Sequence, residues 1–196
     1  MVGSEVTITP LPKVTSPDDI EPTIETPHWV MTKAHTLIHL ATINNWRSGV
    51  ELGTCEGKTA AAILSRCLWM KLVVVDLWEA QPQIAGPENW TGWPHRILEQ
   101  AARNRLAVFR PRIRIFKGYS VAAADRVEDG SLDFVFIDAD LSELGVRSDI
   151  MAWTRKLKKG GSITGAGINW PSVRRAADDL CPGYWIGPGN TWGIEI

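Results

Sequence analysis

The segment Gly49-Val-Glu-Leu-Gly-Thr-Cys-Glu-Gly-Lys-Thr59, followed by Lys71-Leu-Val-Val-Val-Asp-Leu-Trp78, restricts the fold more than any other part of the chain. A short apolar strand ends in Glu51-x-Gly53-x-x-x-Gly57, an alanine-rich helix follows, and a second apolar strand ends in Asp76. Strand, glycine turn, helix, strand and acid, in that order, open a nucleotide-binding βαβ unit. Glycine is wanted where backbone bends sharply and passes close to a ligand, because no Cβ stands in the way. A carboxylate about 20 residues beyond the turn suits a ribose, whose two hydroxyls can both donate to it. The spacing is not G-x-G-x-x-G. A single glycine occupies the tight turn, with an acid two residues before it.

The rest of the chain continues the alternation. Residues 1–27, rich in Pro, Thr and Ser, read as an extended arm, and residues 28–196 as a single domain. Helical spacing of apolar residues covers 28–45, and strand 50–53 and helix 58–70 follow. The run 72–76 lacks polar alternation, as in a strand covered on both faces. The segment 79–94 is a long loop carrying Trp90, Gly92 and Trp93, and its length and amphipathic rings suggest a mobile lid. A helix over 95–109, a strand nearer the sheet edge over 112–117, a short helix over 121–127 and a buried strand over 133–138 come next. Helix 147–157 is expected to stop at Lys158-Lys-Gly-Gly161, where basic residues and glycine are the usual terminators. Strand 162–165, helix 172–180 and a hairpin over 184–196 turning at Pro188-Gly-Asn190 complete the chain. This predicts a doubly wound, Rossmann-like α/β fold, a mostly parallel seven-stranded sheet with helices on both faces. Ligands bind such sheets outside the carboxyl ends of the strands. Glu51–Gly53, Asp76, Gly118-Tyr-Ser120 and Asp138 all fall at or after strand ends and converge on that edge.

Composition narrows the partners. A net charge of −1 gives no global electrostatic reason to bind nucleic acid or a membrane surface. No apolar run approaches the ~20 residues that span a bilayer. No basic-then-apolar secretory pattern opens the sequence. The three scattered cysteines form no CxxC pair, which fits a reduced, cytoplasmic protein. Ten tryptophans are many for this length, and some of their rings are expected to line a pocket or an interface, so a homo-oligomer stays open.

Over residues 49–180 the chain resembles the class I S-adenosylmethionine-dependent methyltransferases, and most of all the branch of macrocin-type sugar O-methyltransferases. The match is carried by Glu51-Leu-Gly-Thr-Cys-Glu-Gly57, Val75-Asp-Leu-Trp78, Lys117-Gly-Tyr-Ser120, Asp133-Phe-Val-Phe-Ile-Asp-Ala-Asp140 and Leu157-Lys-Lys-Gly-Gly161. The resemblance implies S-adenosylmethionine as cofactor and a small-molecule acceptor. It places Glu51 and Gly53, with Thr54 and Gly57 of the same turn, at the methionine end. It assigns Asp76 to the ribose hydroxyls, Leu77 and Trp78 to the adenosine, and Tyr119 and Ser120 to the adenine. The branch carries an acid–His pair after the fourth strand and a Gly-His-Asp-Tyr segment after the fifth, which supply metal ligands and a catalytic His. This chain reads Asp138-Ala-Asp-Leu141 and Gly165-Ala-Gly-Ile168 instead. A divalent cation needs several hard oxygen ligands. Asp138 and Asp140 alone are too few, so a metal-independent reaction is expected.

Asp138, which the resemblance also places among the cofactor-binding residues, and His95 are the candidate bases for an acceptor proton. For His95 an ordinary helix-start histidine is the competing reading, and for Trp78, Trp90 and Trp93 it is a ring in the core. His35 and His39 share one helix face without a visible third ligand. Arg174 and Arg175 read as a solvated face. A binder that has lost transferase activity, another adenosyl-cofactor reaction on this fold, and a non-catalytic interaction module are the rival functions.

Overall fold

The computed structural model describes residues 28–81, 92 and 94–196, with only the backbone of 28–32. The arm 1–27 and Trp90 and Trp93 of the expected lid lie outside the described residues. Helices α1 (His28–Ile43), α2 (Lys58–Arg66), α3 (His95–Leu106), α4 (Ser120–Ala124), α5 (Glu143–Thr154) and α6 (Pro171–Leu180) alternate with strands. The strands are β1 (Ser48–Leu52), β2 (Lys71–Asp76), β3 (Ile113–Lys117), β4 (Leu132–Ile137), β5 (Leu157–Gly165), β6 (Trp185–Gly187) and β7 (Thr191–Glu195). They form one seven-stranded sheet in the order β3-β2-β1-β4-β5-β7-β6. All pairings are parallel except those of β7, which runs antiparallel to both β5 and β6. The doubly wound prediction holds, and β3 is one of the two edge strands, as its alternating pattern suggested.

Two apolar clusters cover the two faces. Leu37, Ala41, Ile63 and Leu64 from α1 and α2, with Leu106, pack on Leu72, Val74, Phe134 and Phe136. On the other face Val146, Ile150 and Trp153 of α5, with Val173 and Ala177 of α6, pack on Val50, Leu52, Val135, Ile137 and Ile163. Adjacent strand residues therefore point to opposite cores, so the central strands are apolar without alternation.

Three predicted boundaries are corrected. Helix α2 stops at Arg66, short of 70, because Cys67 leaves helical geometry (φ −96°, ψ 81°) and Lys71 N must donate to Arg47 O at 2.8 Å to start β2. Helix α5 starts at Glu143 rather than 147, since the Ser142 hydroxyl accepts from Gly145 N at 3.1 Å, an N-cap. It ends at Thr154, so Lys158–Gly161 is not its terminator. These residues belong to β5, as extra residues between the pairs Leu132–Leu157 and Phe134–Ser162. They are held there because Gly160 N donates to Ile196 O at 2.9 Å and Ile196 N to Gly161 O at 2.8 Å. The chain terminus offers those partners, which no local pattern reveals.

Candidate active site

At the carboxyl ends of β1, β2 and β4 the sheet opens into a cavity of about 1000 Å³. That is the upper end of the ~300–1,000 Å³ seen for small-molecule and cofactor sites, room for a cofactor beside an acceptor. The Gly53 turn forms its floor. Gly53 adopts φ +83°, and a Cβ there would stand 2.1 Å from the Asp138 carbonyl oxygen. Its N–H donates to Val75 O at 2.8 Å, so this one residue joins the ends of β1, β2 and β4. Thr54 and Cys55 line the cavity beside it.

Asp76 ends β2 on the cavity wall. Its Oδ2 accepts from Cys55 N at 2.7 Å and its Oδ1 from Trp78 N at 2.8 Å. Burial pushes this carboxyl above its usual range, while the amides and the nearby His95 pull it back. Each oxygen keeps a lone pair, so the carboxylate is fixed in place and can still accept from two hydroxyls. Leu77 and His95 line the same wall. Trp78 also borders the cavity, but its ring is almost wholly buried, its Nε1 donates to Cys55 O at 2.8 Å, and the Arg103 guanidinium lies 5.8 Å from its centroid. It braces the turn from a buried position while bordering the cavity.

Two residues of the predicted cofactor set sit elsewhere. Glu51 is not among the cavity-lining residues: it points into the same face as Phe136 and Val74, its register partners, with its carboxyl accepting from the Thr54 hydroxyl. Burial pushes it up to about 8, so it is largely protonated at neutral pH. Its place is under the turn. Gly57 also lies off the wall, serving as the left-handed residue (φ 73°) that starts α2. The left-handed backbone there favours glycine, and a Cβ would stand 3.1 Å from the Leu106 side chain, which would have to shift slightly.

Tyr119 and Ser120 line the cavity beyond Asp76, with Tyr119 more than half exposed at the rim. The Ser120 hydroxyl donates to Asp149, a buried acid of α5 that burial pushes to about 7. On the opposite side Asp138 is paired with Lys33 of α1, whose Nζ donates to Oδ2 at 3.0 Å and Oδ1 at 3.2 Å. Burial pushes the Asp138 carboxyl up and Lys33 draws it down, with burial the larger effect. Asp140 lines the cavity and accepts from Ser142 N at 2.9 Å. The hairpin turn at Gly189 and Asn190 completes the wall. Lys33 and Asp149 went unnoticed in the sequence, and the turn was read there without its place on the cavity wall. Lys33 meets Asp138 across 105 residues and Ser120 meets Asp149 across 29, separations that carry no local pattern.

A divalent cation does not fit the position where the resembling branch holds one. Ala166 is buried and apolar, Gly167 has no side chain and faces Leu141, and the Asp138 carboxylate is engaged by Lys33. Among the described residues no three His, Cys, Asp or Glu side chains are grouped as a metal would need, His35 and His39 included.

A seven-stranded sheet with β7 antiparallel, a glycine turn after β1 and an acid after β2, all opening on one cavity, defines a Rossmann-like methyltransferase. The chain belongs to the methyltransferase-domain family, whose model matches residues 50–165. Solved structures with the same fold include an O-methyltransferase from Bacillus cereus in complex with S-adenosylhomocysteine. That one is 18% identical, with 89% of this chain and 84% of the other covered at a TM-score of 0.60. An O-methyltransferase from Streptomyces achromogenes involved in tomaymycin synthesis, in complex with S-adenosylmethionine, is 15% identical, covers 83% and 79%, and has a TM-score of 0.59. The S-adenosylhomocysteine-bound methyltransferase of Podospora anserina is 14% identical, with 84% and 77% covered and a TM-score of 0.59. No curated protein matches the chain significantly.

Proposed function

We propose that this protein transfers a methyl group from S-adenosylmethionine to a hydroxyl of a small molecule, without a metal ion. The observation that carries this is the meeting of the Gly53 turn, Asp76 and Asp138 on one cavity at the carboxyl edge of the sheet. Asp76 receives the ribose hydroxyls, the backbone of Gly53, Thr54 and Cys55 passes beside the methionine portion, and Ser120 with Tyr119 borders the adenine. Bound there, the cofactor supplies an electrophilic methyl on a sulfonium, whose positive charge suits walls carrying Asp76, Asp138, Asp140 and Asp149. The protein's work is to position the acceptor oxygen in line with that methyl and to keep water away. Asp138, raised by burial, takes the hydroxyl proton; His95 faces the cavity from the Asp76 side and is the second candidate. Ala166, Gly167 and Leu141 in place of ligands support metal independence. They also keep open a cofactor binder without transfer. No described helix is long and apolar enough to cross a membrane, and the free cysteines Cys55, Cys67 and Cys181 support a cytoplasmic setting.

The test is titration calorimetry with S-adenosylmethionine, followed by transfer of labelled methyl to fractionated small molecules. Saturable binding and labelled product are expected. Binding without product from any fraction leaves only the binder.

A further inference from the structure

The position opposite the glycine turn poses a chemical problem. Transfer to oxygen is helped by a positive charge that favours the ionised hydroxyl, and a divalent cation supplies one only where several hard oxygens hold it. Here Ala166, Gly167 and Leu141 offer none. Of the two acids left there, Asp140 accepts from Ser142 N, while Asp138 holds the Lys33 ammonium, at 3.0 and 3.2 Å to its two oxygens, on the cavity wall. We propose that Lys33 takes the place of the metal: its ammonium, held by Asp138, receives and stabilises the acceptor oxyanion. This rests on the methyl-transfer reading above.

The charges around the site make the assignment selective. The other lysine of the cavity wall, Lys58, is paired with Glu56, and both are about one-third exposed, whereas the Lys33 side chain is only 13% exposed. Asp76, Asp138, Asp140 and Asp149 line the wall, and His95 faces Asp76. That many acids oppose ionisation of a bound hydroxyl. A single ammonium is a smaller charge than a divalent cation, and part of its field is spent on Asp138. The geometry therefore suits an acceptor whose hydroxyl is already acidic, a phenol or enol, rather than an alkyl hydroxyl of a sugar. Val75, Leu98, Leu141, Leu144 and Trp170 give the cavity the apolar surface that an aromatic acceptor needs. In the step itself the hydroxyl proton passes to Asp138 and Lys33 donates a hydrogen bond to the oxygen. The O–CH₃ bond forms as the C–S bond breaks, and its electron pair stays on sulfur as a neutral thioether.

The test uses 4-nitrophenol, whose ionisation is visible by absorbance, with protein loaded with S-adenosylhomocysteine so that no transfer occurs. In the wild type the bound phenol is expected to ionise at a pH lower than in solution, by roughly one unit. Lys33→Met keeps the stem and removes the charge, and should abolish or reverse the shift; Lys33→Arg should restore part of it. Calorimetry should show S-adenosylhomocysteine binding within about twofold of wild type in both variants, which also reports that they are folded. An equal shift in Lys33→Met, or no saturable phenol binding to the loaded wild type, overturns the proposal. Failure of the wild type to bind S-adenosylhomocysteine at all sinks the methyl-transfer reading, and this inference with it.

Discussion

The half of the sheet built from β1, β2 and β3 and the half built from β4, β5, β7 and β6 open on the same cavity, but they are furnished differently. The first half keeps a tight glycine turn, an acid fixed by two backbone amides and a hydroxyl at the start of α4. The second half has apolar residues at 141 and 166 and a bare glycine at 167, and it borrows its cation from α1. In the proposed reading the first half takes the cofactor, whose hydroxyls and sulfonium have a fixed chemistry. In the same reading the second half takes the acceptor, and its charge is delivered by a helix that packs over it, through the Lys33–Asp138 pair.

Breaking the seam between the halves should have the largest effect. Gly53→Ala forces a left-handed residue to carry a Cβ 2.1 Å from the Asp138 carbonyl. A loss of about 2–4 kcal/mol in unfolding free energy is expected from strain and overpacking. Denaturant titration measures it, and a wild-type midpoint would mean that the halves are not locked at this contact. Removing the cofactor half's anchor comes next. Asp76→Ala should weaken S-adenosylmethionine binding at least about tenfold, ~1.4 kcal/mol, while 4-nitrophenol binding changes little. Equal losses of both ligands in calorimetry would show that the two halves are not separate in function.

Glu51 gives a smaller effect with a definite sign. Burial raises its carboxyl from 4.5 to about 8, so the folded protein holds a proton that the unfolded chain releases. Its contribution to stability is complete below about pH 4.5 and is lost as pH rises through about 8. Wild-type melting temperature should therefore fall more between about pH 6 and 9 than that of Glu51→Gln, which keeps an acceptor for Thr54. Parallel melting curves across that range would place the proton elsewhere. Chelation should do least: methyl transfer is expected to survive EDTA unchanged, and loss restored by magnesium would return a metal to the acceptor half.

The doubly wound order, the glycine turn and Asp76 were legible because they depend on neighbours within one βαβ unit. There the hydrophobic period, the glycines and the strand-end acid lie in a single short window. The edge position of β3 and the Pro188–Asn190 turn could be read for the same reason. Glu51 and Gly57 were legible as important, but sequence spacing does not say which side of a turn faces a ligand. Burial beneath the turn, decided by the packing of the helices on the sheet, keeps both off the described cavity wall. Lys158–Gly161 looked like a helix stop, and only the C-terminal strand beside it makes it part of β5. What the sequence by itself determined was the layer order and the edge of the sheet that opens on the cavity, because these follow from local backbone preference and from which faces must be apolar. What only the tertiary structure decided was the charge pattern of the cavity. Lys33 with Asp138, and Asp149 with Ser120, are brought together by helices folding over the sheet, and the energies that pair them depend on distance in space rather than along the chain.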